Sequence, residues 1–254
     1  MNSRFFSFPL LLSAGLLAVL SCSSGDAAML TTITHGTVTR VPSHTDLNLV
    51  PGNVLYAINN AGTAQTIDGV SFVTNKPAPP AGMTDGPVNR LGSWSPNSNT
   101  SGPDAAAMDA VLNTIDCCNP ASTYNFEVPN GPITLQMFWA GNATETRLWD
   151  IEVEGVLSVD EVTSHGIWDG VTFPVDDVTV YTLFEQTIDV TDGVLNVRVG
   201  QFFADGAQRD GDRNFVLSGM VISTVIPEPS TLILAVMALL GLGCCGRRRR
   251  QRNG

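Results

Sequence analysis

Between residues 54 and 225 apolar and polar positions alternate in short runs, each closed by Gly, Asn, Asp or Pro. Val54-Leu55-Tyr56-Ala57-Ile58 is one such run and stops at Asn59-Asn60-Ala61-Gly62. Gly69 to Thr74 alternates as a second. Tyr124 to Val128 alternates, Pro129-Asn130-Gly131 turns, and Ile133 to Trp139 follows before a turn at Gly141-Asn142-Ala143. Arg147 to Val153 sets Trp149, Ile151 and Val153 on one face and Leu148, Asp150 and Glu152 on the other. Val156 to Val159 follows Gly155. Val178 to Phe184 and Gln186 to Val190 read as two further strands, and Asp192-Gly193 as a hairpin-type turn. Val194 to Val199 turns Leu195, Val197 and Val199 inward, and Phe215 to Val225 reads as one long final strand. A period of two in runs of this length predicts strands, and many short strands spaced by turn residues predict a β-sandwich.

One helix is predicted, from Pro103 to Asp116. Pro103 suits a first turn, Asp104 suits the positive helix end, and Ala107, Val111, Leu112 and Ile115 share a face. So short a helix is expected to cap an end of the sandwich. Ala28 to Pro51 is Thr-rich and weakly patterned, as in a leading strand with loops. Lys76 to Pro103 reads as a long loop of Pro, Gly, Asn and Ser, and long loops in compact domains are often functional or disordered.

The two ends of the chain have a different pattern. Arg4 precedes an uncharged run from Phe5 to Leu20, whose apolar core from Pro9 to Leu20 has the length of a signal-peptide h-region. Ala27-Ala28 and Ser21-Cys22-Ser23 both offer small residues for cleavage. Val19-Leu20-Ser21-Cys22 is also loosely similar to a lipobox, which would make Cys22 a lipidated N-terminus; the other reading is a buried or discarded cysteine. At the far end, Pro227-Glu228-Pro229 ends the domain, because two prolines remove backbone donors and resist helix. The uncharged segment Ser230 to Gly246 follows, then Arg247-Arg248-Arg249-Arg250. Roughly 16 helical residues span about 24 Å, slightly less than a hydrocarbon core of about 30 Å, a gap that snorkelling arginines close. The arginines would stay cytoplasmic and the preceding chain outside.

This Pro-Glu-Pro, apolar segment and arginine cluster resembles the PEP-CTERM sorting signal of exported proteins in Gram-negative bacteria. The resemblance implies recognition by a membrane-embedded exosortase, removal of the tail and delivery to the cell surface or its polysaccharide matrix. The alternative is a plain single-pass anchor. The expected organisation is a signal peptide over 1–28, a β-sandwich over 29–226 and a sorting signal over 227–254, with a transmembrane segment at 230–246 and a basic tail at 247–254.

Charge narrows the function. The chain carries a formal −11, but Ala27 to Ile226 holds 7 Lys and Arg against 22 Asp and Glu, a balance near −15. Phosphate binding needs basic patches, so nucleic acid is excluded as a partner. Of the five cysteines only Cys117 and Cys118 fall within the domain. Adjacent cysteines bridge each other only with strained geometry, so this is no disulfide scaffold. No Cys/His spacing resembles a zinc site, and His35, His44 and His165 are each isolated in sequence.

The strands carry a second resemblance. Asn130 to Trp139, then Arg147-Leu148-Trp149-Asp150-Ile151-Glu152-Val153-Glu154-Gly155, then Val190-Thr191-Asp192-Gly193-Val194-Leu195 resemble the framework of malectin-type domains, and Ala57 to Gly62 is similar to their opening Ile-Asn-x-Gly-Gly. This implies a galactose-binding-like jelly roll over about residues 54 to 225. Trp139-Ala140-Gly141 departs from the family's Phe-Ala-Glu ending, Trp149 replaces its usual Phe, and its sugar-contacting loop residues have no clear counterparts here.

Four tryptophans raise a sugar-stacking reading. Trp139 and Trp149 lie in strands and read as core; Trp94 and Trp168 lie in Gly-flanked loops and are the candidate ligand surface, the alternative being plugs at the sandwich ends. Asp205, Asp210 and Asp212 cluster in one turn-rich loop of the kind that supplies calcium with oxygen ligands, although Arg209 and Arg213 compete for them and a solvated hairpin is the other reading. Nothing else calls for a cofactor. There is no Gly-x-Ser-x-Gly, and with this many acids some carboxylate pair is always at hand, so pairs carry no signal. The sequence therefore reads as an all-β, jelly-roll-like antiparallel β-sandwich with one short helix, flanked by an N-terminal signal peptide and a C-terminal transmembrane helix. The expected function is that of a non-enzymatic exported protein. It starts as a membrane-anchored precursor and ends at the cell surface or in the matrix, associated with exopolysaccharide; a secreted hydrolase or a purely adhesive protein are the alternatives.

Overall fold

The computed structural model describes residues 36–86, 89–91, 98–117, 121–141, 147–164, 166–167, 178–201 and 214–225. The chain divides into two compact units, Met1–Thr32 and Ile33–Gly254, and every described residue belongs to the second. Its strands in chain order are β1 (Thr37–Val41), β2 (Val54–Asn59), β3 (Gln65–Ile67), β4 (Val70–Thr74), β5 (Met83–Asp85), β6 (Asn89–Leu91), β7 (Ile115–Cys117) and β8 (Ala121–Glu127). They continue with β9 (Gly131–Trp139), β10 (Leu148–Val153), β11 (Val156–Thr163), β12 (Gly166–Ile167), β13 (Tyr181–Val190), β14 (Val194–Gly200), β15 (Val216–Leu217) and β16 (Gly219–Thr224). A 3-10 turn spans His44–Leu47, and helix α1 spans Ala105–Leu112.

Two sheets make the sandwich. One runs β1-β13-β9-β16-β2-β4-β3, the other β12-β11-β10-β14-β8-β5, and a small third sheet runs β15-β7-β6. All pairings are antiparallel except β2 with β4. Between the large sheets lie Ile133, Leu135, Met137 and Trp139 of β9, with Met220 and Ile222 of β16. Facing them are Tyr124 and Phe126 of β8, Trp149, Ile151 and Val153 of β10, and Leu195, Val197 and Val199 of β14. Each fully buried apolar side chain of this kind contributes roughly 1.5–3 kcal/mol. The alternation read from the sequence for β10 and β14 is the one observed, and Trp139 and Trp149 are core, their rings edge to face at 5.3 Å.

Successive side chains of a strand point to opposite faces. Phe138, Leu183, Val221 and Ala57 therefore leave the seven-stranded sheet on its outer side, where they join Phe72, Ile67 and the Met108, Val111 and Leu112 face of α1 in a second core. The helix thus covers a sheet face, where the sequence predicted a cap on the sandwich end. It also stops at Leu112. Thr114 Oγ1 donates to Val111 O at 3.0 Å and to Asn59 Oδ1 at 2.7 Å, and Ile115 then pairs in β7. Strand pairing outcompetes the helical face on which Ile115 would have lain.

Three further expectations change. Val178 to Val190 is not two strands: Glu185 breaks no pairing and β13 runs unbroken opposite β9. Phe215 to Val225 is not one strand. Ser218 separates β15, which pairs with β7, from β16, which pairs with β2 and β9; its backbone N–H goes to Phe138 O and its O accepts from Asn60 N. Asp192-Gly193 is a turn but not a hairpin, because β13 and β14 belong to different sheets. Among the described residues, the two-residue hairpins with both residues at positive φ are Asp68-Gly69 (49° and 75°) between β3 and β4, and Glu154-Gly155 (52° and 72°) between β10 and β11.

Candidate functional site

One end of the sandwich gathers the tips of both sheets. Asn59 at the end of β2 lies opposite Gly219 at the start of β16, which in turn lies opposite Phe138 near the end of β9. In the other sheet Gly200 lies opposite Ala121 and Asp150. Trp139 Nε1 donates to Thr163 O at 2.9 Å and ties the end of β9 to the end of β11 across the sandwich.

Beneath this end is a buried polar network that fixes the strand tips. Asn75 Nδ2 donates to Asn60 Oδ1 at 3.0 Å and to Asp116 Oδ2 at 2.7 Å, while Asn75 Oδ1 accepts from Ala61 N at 2.9 Å. Asn60 Nδ2 donates to Leu217 O at 3.0 Å, and Tyr124 Oη donates to Asp116 Oδ2 at 3.3 Å. Asn59, Asn60, Asn75, Asp116 and Tyr124 are all fully buried. Burial, and after it the charge of the Asp116 carboxyl, hold the Tyr124 phenol well above its ordinary value. The Asn59-Asn60 pair that the sequence read as a strand ending is therefore a structural hub, and Gly62 packs directly on the Asn59 amide. Cys117 in β7 is buried beside this network and disulfide-bonded, its partner lying outside the described residues.

The predicted ligand residues Trp94 and Trp168 and the predicted calcium ligands Asp205, Asp210 and Asp212 lie outside the described residues, as do Cys22, Pro227, Glu228, Pro229 and Arg247 to Arg250. Connectivity still relates them. Trp94 follows β6 of the small sheet, Trp168 follows Ile167 at the end of β12, and the Asp205 to Asp212 stretch follows β14 beyond Gly200.

Elsewhere, a groove of about 250 Å³ runs along the outer face of the seven-stranded sheet, lined by Leu47, Leu49, Asn53, Thr134, Gln136 and Glu185 among others. Gln136 Nε2 donates to Glu185 Oε2 at 2.6 Å, and no aromatic ring lines the groove. Among the described residues, no helix is long and apolar enough to cross a membrane, and residues 230–246 are not among them.

Sequence reasoning treated His44 as isolated. The fold brings it to Asp68 and Asp104, three residues far apart in the chain that each offer one ligand atom within 4.8 Å of the others. His44 opens the 3-10 turn, Asp68 is the first residue of the β3–β4 hairpin turn, and Asp104 is the N-cap of α1. The only legible signal was Asp68-Gly69 ahead of an alternating strand, which marks a hairpin but says nothing of what faces it.

Residues 225–250 match the PEP-CTERM protein-sorting motif, so the tail is that motif. No curated protein is similar to the chain in sequence. In structure the chain is similar to the plant receptor-like kinase ANX2, with 13% identity, a TM-score of 0.51, and coverage of 69% of this chain and 49% of that one. It is similar likewise to the ANXUR2 extracellular domain from Arabidopsis thaliana, at 13% identity, a TM-score of 0.50 and the same coverage. Bacteroides uniformis beta-glucuronidase 2 aligns at 12% identity and a TM-score of 0.47, over 67% of this chain and 18% of that one. The chain thus spans about half the length of the plant structures, and at such identities the likeness defines the fold alone: a β-sandwich shared with those extracellular domains, as the strand pattern predicted.

Proposed function

We propose that this is an exported surface protein whose β-sandwich associates with polysaccharide outside the cell, with no catalytic role. The observation that carries the reading is the sorting motif at residues 225–250. In this reading residues 1–28 are a signal peptide, residues 230–246 hold the precursor in the membrane, Arg247 to Arg250 stay on the cytoplasmic side, and an exosortase-type enzyme cuts the chain near Pro227-Glu228-Pro229. Two features support a sugar-binding surface. The fold is a β-sandwich whose strand tips are locked by the Asn60, Asn75 and Asp116 network, and Trp94 and Trp168 follow β6 and β12 closely in the chain, where aromatic faces suit stacking on pyranose rings.

Binding of the purified chain to exopolysaccharide from its own cells tests this directly. Trp94→Ala and Trp168→Ala are expected to weaken retention about tenfold or more while leaving the unfolding midpoint unchanged. Binding that survives both substitutions would exclude these tryptophans as the sugar surface, and no binding by the unaltered chain would leave a purely structural protein.

A further inference from the structure

We propose that His44, Asp68 and Asp104 form a binding site for a divalent transition metal of the zinc class, where the 3-10 turn, the β3–β4 hairpin and the start of α1 meet. The site is independent of the sugar-binding reading. Its ligand atoms lie within 4.8 Å of one another. The shortest separation, His44 Nε2 to Asp68 Oδ1, is 3.4 Å. Ligands placed about 2.0–2.1 Å from a tetrahedral ion are roughly 3.3–3.4 Å apart. That edge of the polyhedron is therefore already in place, and small side-chain rotations bring in Asp104.

The observation that points to a ligand is His44 itself. It is fully buried, and neither ring nitrogen has a hydrogen-bond partner. The approach of Nε2 to Asp68 is a charge contact without hydrogen-bond geometry. A buried imidazole left in this state is unfavourable, and an ion on Nε2 removes the deficit on that side. Asp104 gives a second sign. It is the N-cap of α1 but makes no capping bond to its own helix. Its Oδ2 instead accepts from the Asp68 backbone N–H at 2.7 Å, which ties the Asp104 carboxylate to the hairpin turn that carries Asp68. Among the described residues the only basic group within ion-pair range of either is His44. Two like charges held side by side are unfavourable without a cation, and their sum outweighs the partial positive charge of a two-turn helix.

The surroundings hold the ligands still. Ser43 caps the 3-10 turn in a capping box with Asp46, and Ser43 Oγ also donates to Ser101 O at 3.1 Å. Gly102, at φ +109°, lies flat on the imidazole; a Cβ there would fall 2.9 Å from Nδ1. Ring and hairpin are thus fixed from both sides, as a preformed site requires. One imidazole nitrogen and two carboxylates suit zinc, cobalt or nickel, whereas calcium and magnesium take oxygen alone. Three protein ligands leave a fourth position for water or a group from outside.

The test is calorimetric titration of the purified full-length chain with ZnCl2 and separately with CaCl2, beside Asp68→Asn and Asp104→Asn. Asparagine is well suited to both positions. It tolerates the positive φ of residue 68, and at 104 it keeps an oxygen to accept from the residue 68 amide, so both variants fold. The expected result is one zinc equivalent at low micromolar affinity or tighter, weakened at least about tenfold in each variant, with no calcium uptake suppressed by either substitution. Cobalt should give a visible absorption band in the unaltered chain that both variants lose. Equal zinc binding in all three proteins, or none in the unaltered one, overturns the proposal.

Discussion

Asn75→Ala removes three hydrogen bonds from the buried network with one substitution. Ala61 N loses its acceptor, Asn60 Oδ1 its donor at 3.0 Å, and Asp116 Oδ2 its donor at 2.7 Å. All of these groups are shut off from solvent. Leaving a buried polar group unsatisfied costs about 1–3 kcal/mol. Asp116 keeps Tyr124 as a donor, so its loss is partial. The vacated volume is lined by polar atoms and admits a water, which restores part of the remainder. The expected cost is therefore about 3 kcal/mol, the lower part of the summed range. For a domain of this size that lowers the thermal midpoint by roughly 6–12 °C. Urea unfolding followed by tryptophan fluorescence reads it, with the midpoint falling and the slope unchanged. A loss below about 1 kcal/mol would refute the idea that this network fixes the strand tips, since water would then serve as well as Asn75.

Three other perturbations test separate parts of the fold. All three tyrosines of the chain have raised pKa values: Tyr124 through burial and Asp116, Tyr181 through burial and Asp46, and Tyr56 through burial and Glu127. A phenol raised in the folded state gives its full stabilisation below the ordinary value of about 10 and loses it as pH climbs toward the folded value. Absorbance at 295 nm should therefore show Tyr124 and Tyr181 ionising only as near-UV dichroism collapses above about pH 10; free titration of all three in an intact fold would contradict this. Gly155→Ala places a Cβ in open space at φ +72°, so the cost is backbone strain alone, about 1–2 kcal/mol by urea midpoint. Trp139→Phe loses the bond to Thr163 O and part of the edge contact with Trp149, and should lower stability by about 1–3 kcal/mol in the same assay.

Local pattern made much of this fold legible. Trp149, Ile151 and Val153 alternate with Leu148, Asp150 and Glu152, and a period of two needs no knowledge of the partner strand to be read. What the pattern lacks is which sheet a strand joins. Asp192-Gly193 has the residues of a hairpin turn, yet here it carries the chain from one sheet to the other, because β13 finds β9 and β14 finds β8. The docking of α1 was hidden for a related reason: its Met108, Val111 and Leu112 face meets Phe138 and Leu183, whose alternate position on β9 and β13 looks outward only once both sheets are assembled. Glu185 shows the converse, a charged residue that looks like a strand end but is held in mid-strand by Gln136. The His44, Asp68 and Asp104 cluster was unreadable because its spacing fits no motif; only tertiary packing brings it together.

The sorting motif makes the strongest claim about this protein, and the intact mass of the chain from fractionated cells tests it most directly. The account expects a mature chain in the surface or secreted fraction, its mass lacking residues 1–28 and everything beyond the Pro227-Glu228-Pro229 region. A chain found only in the membrane fraction with Arg247 to Arg250 still attached would contradict it and leave a plain C-terminal anchor.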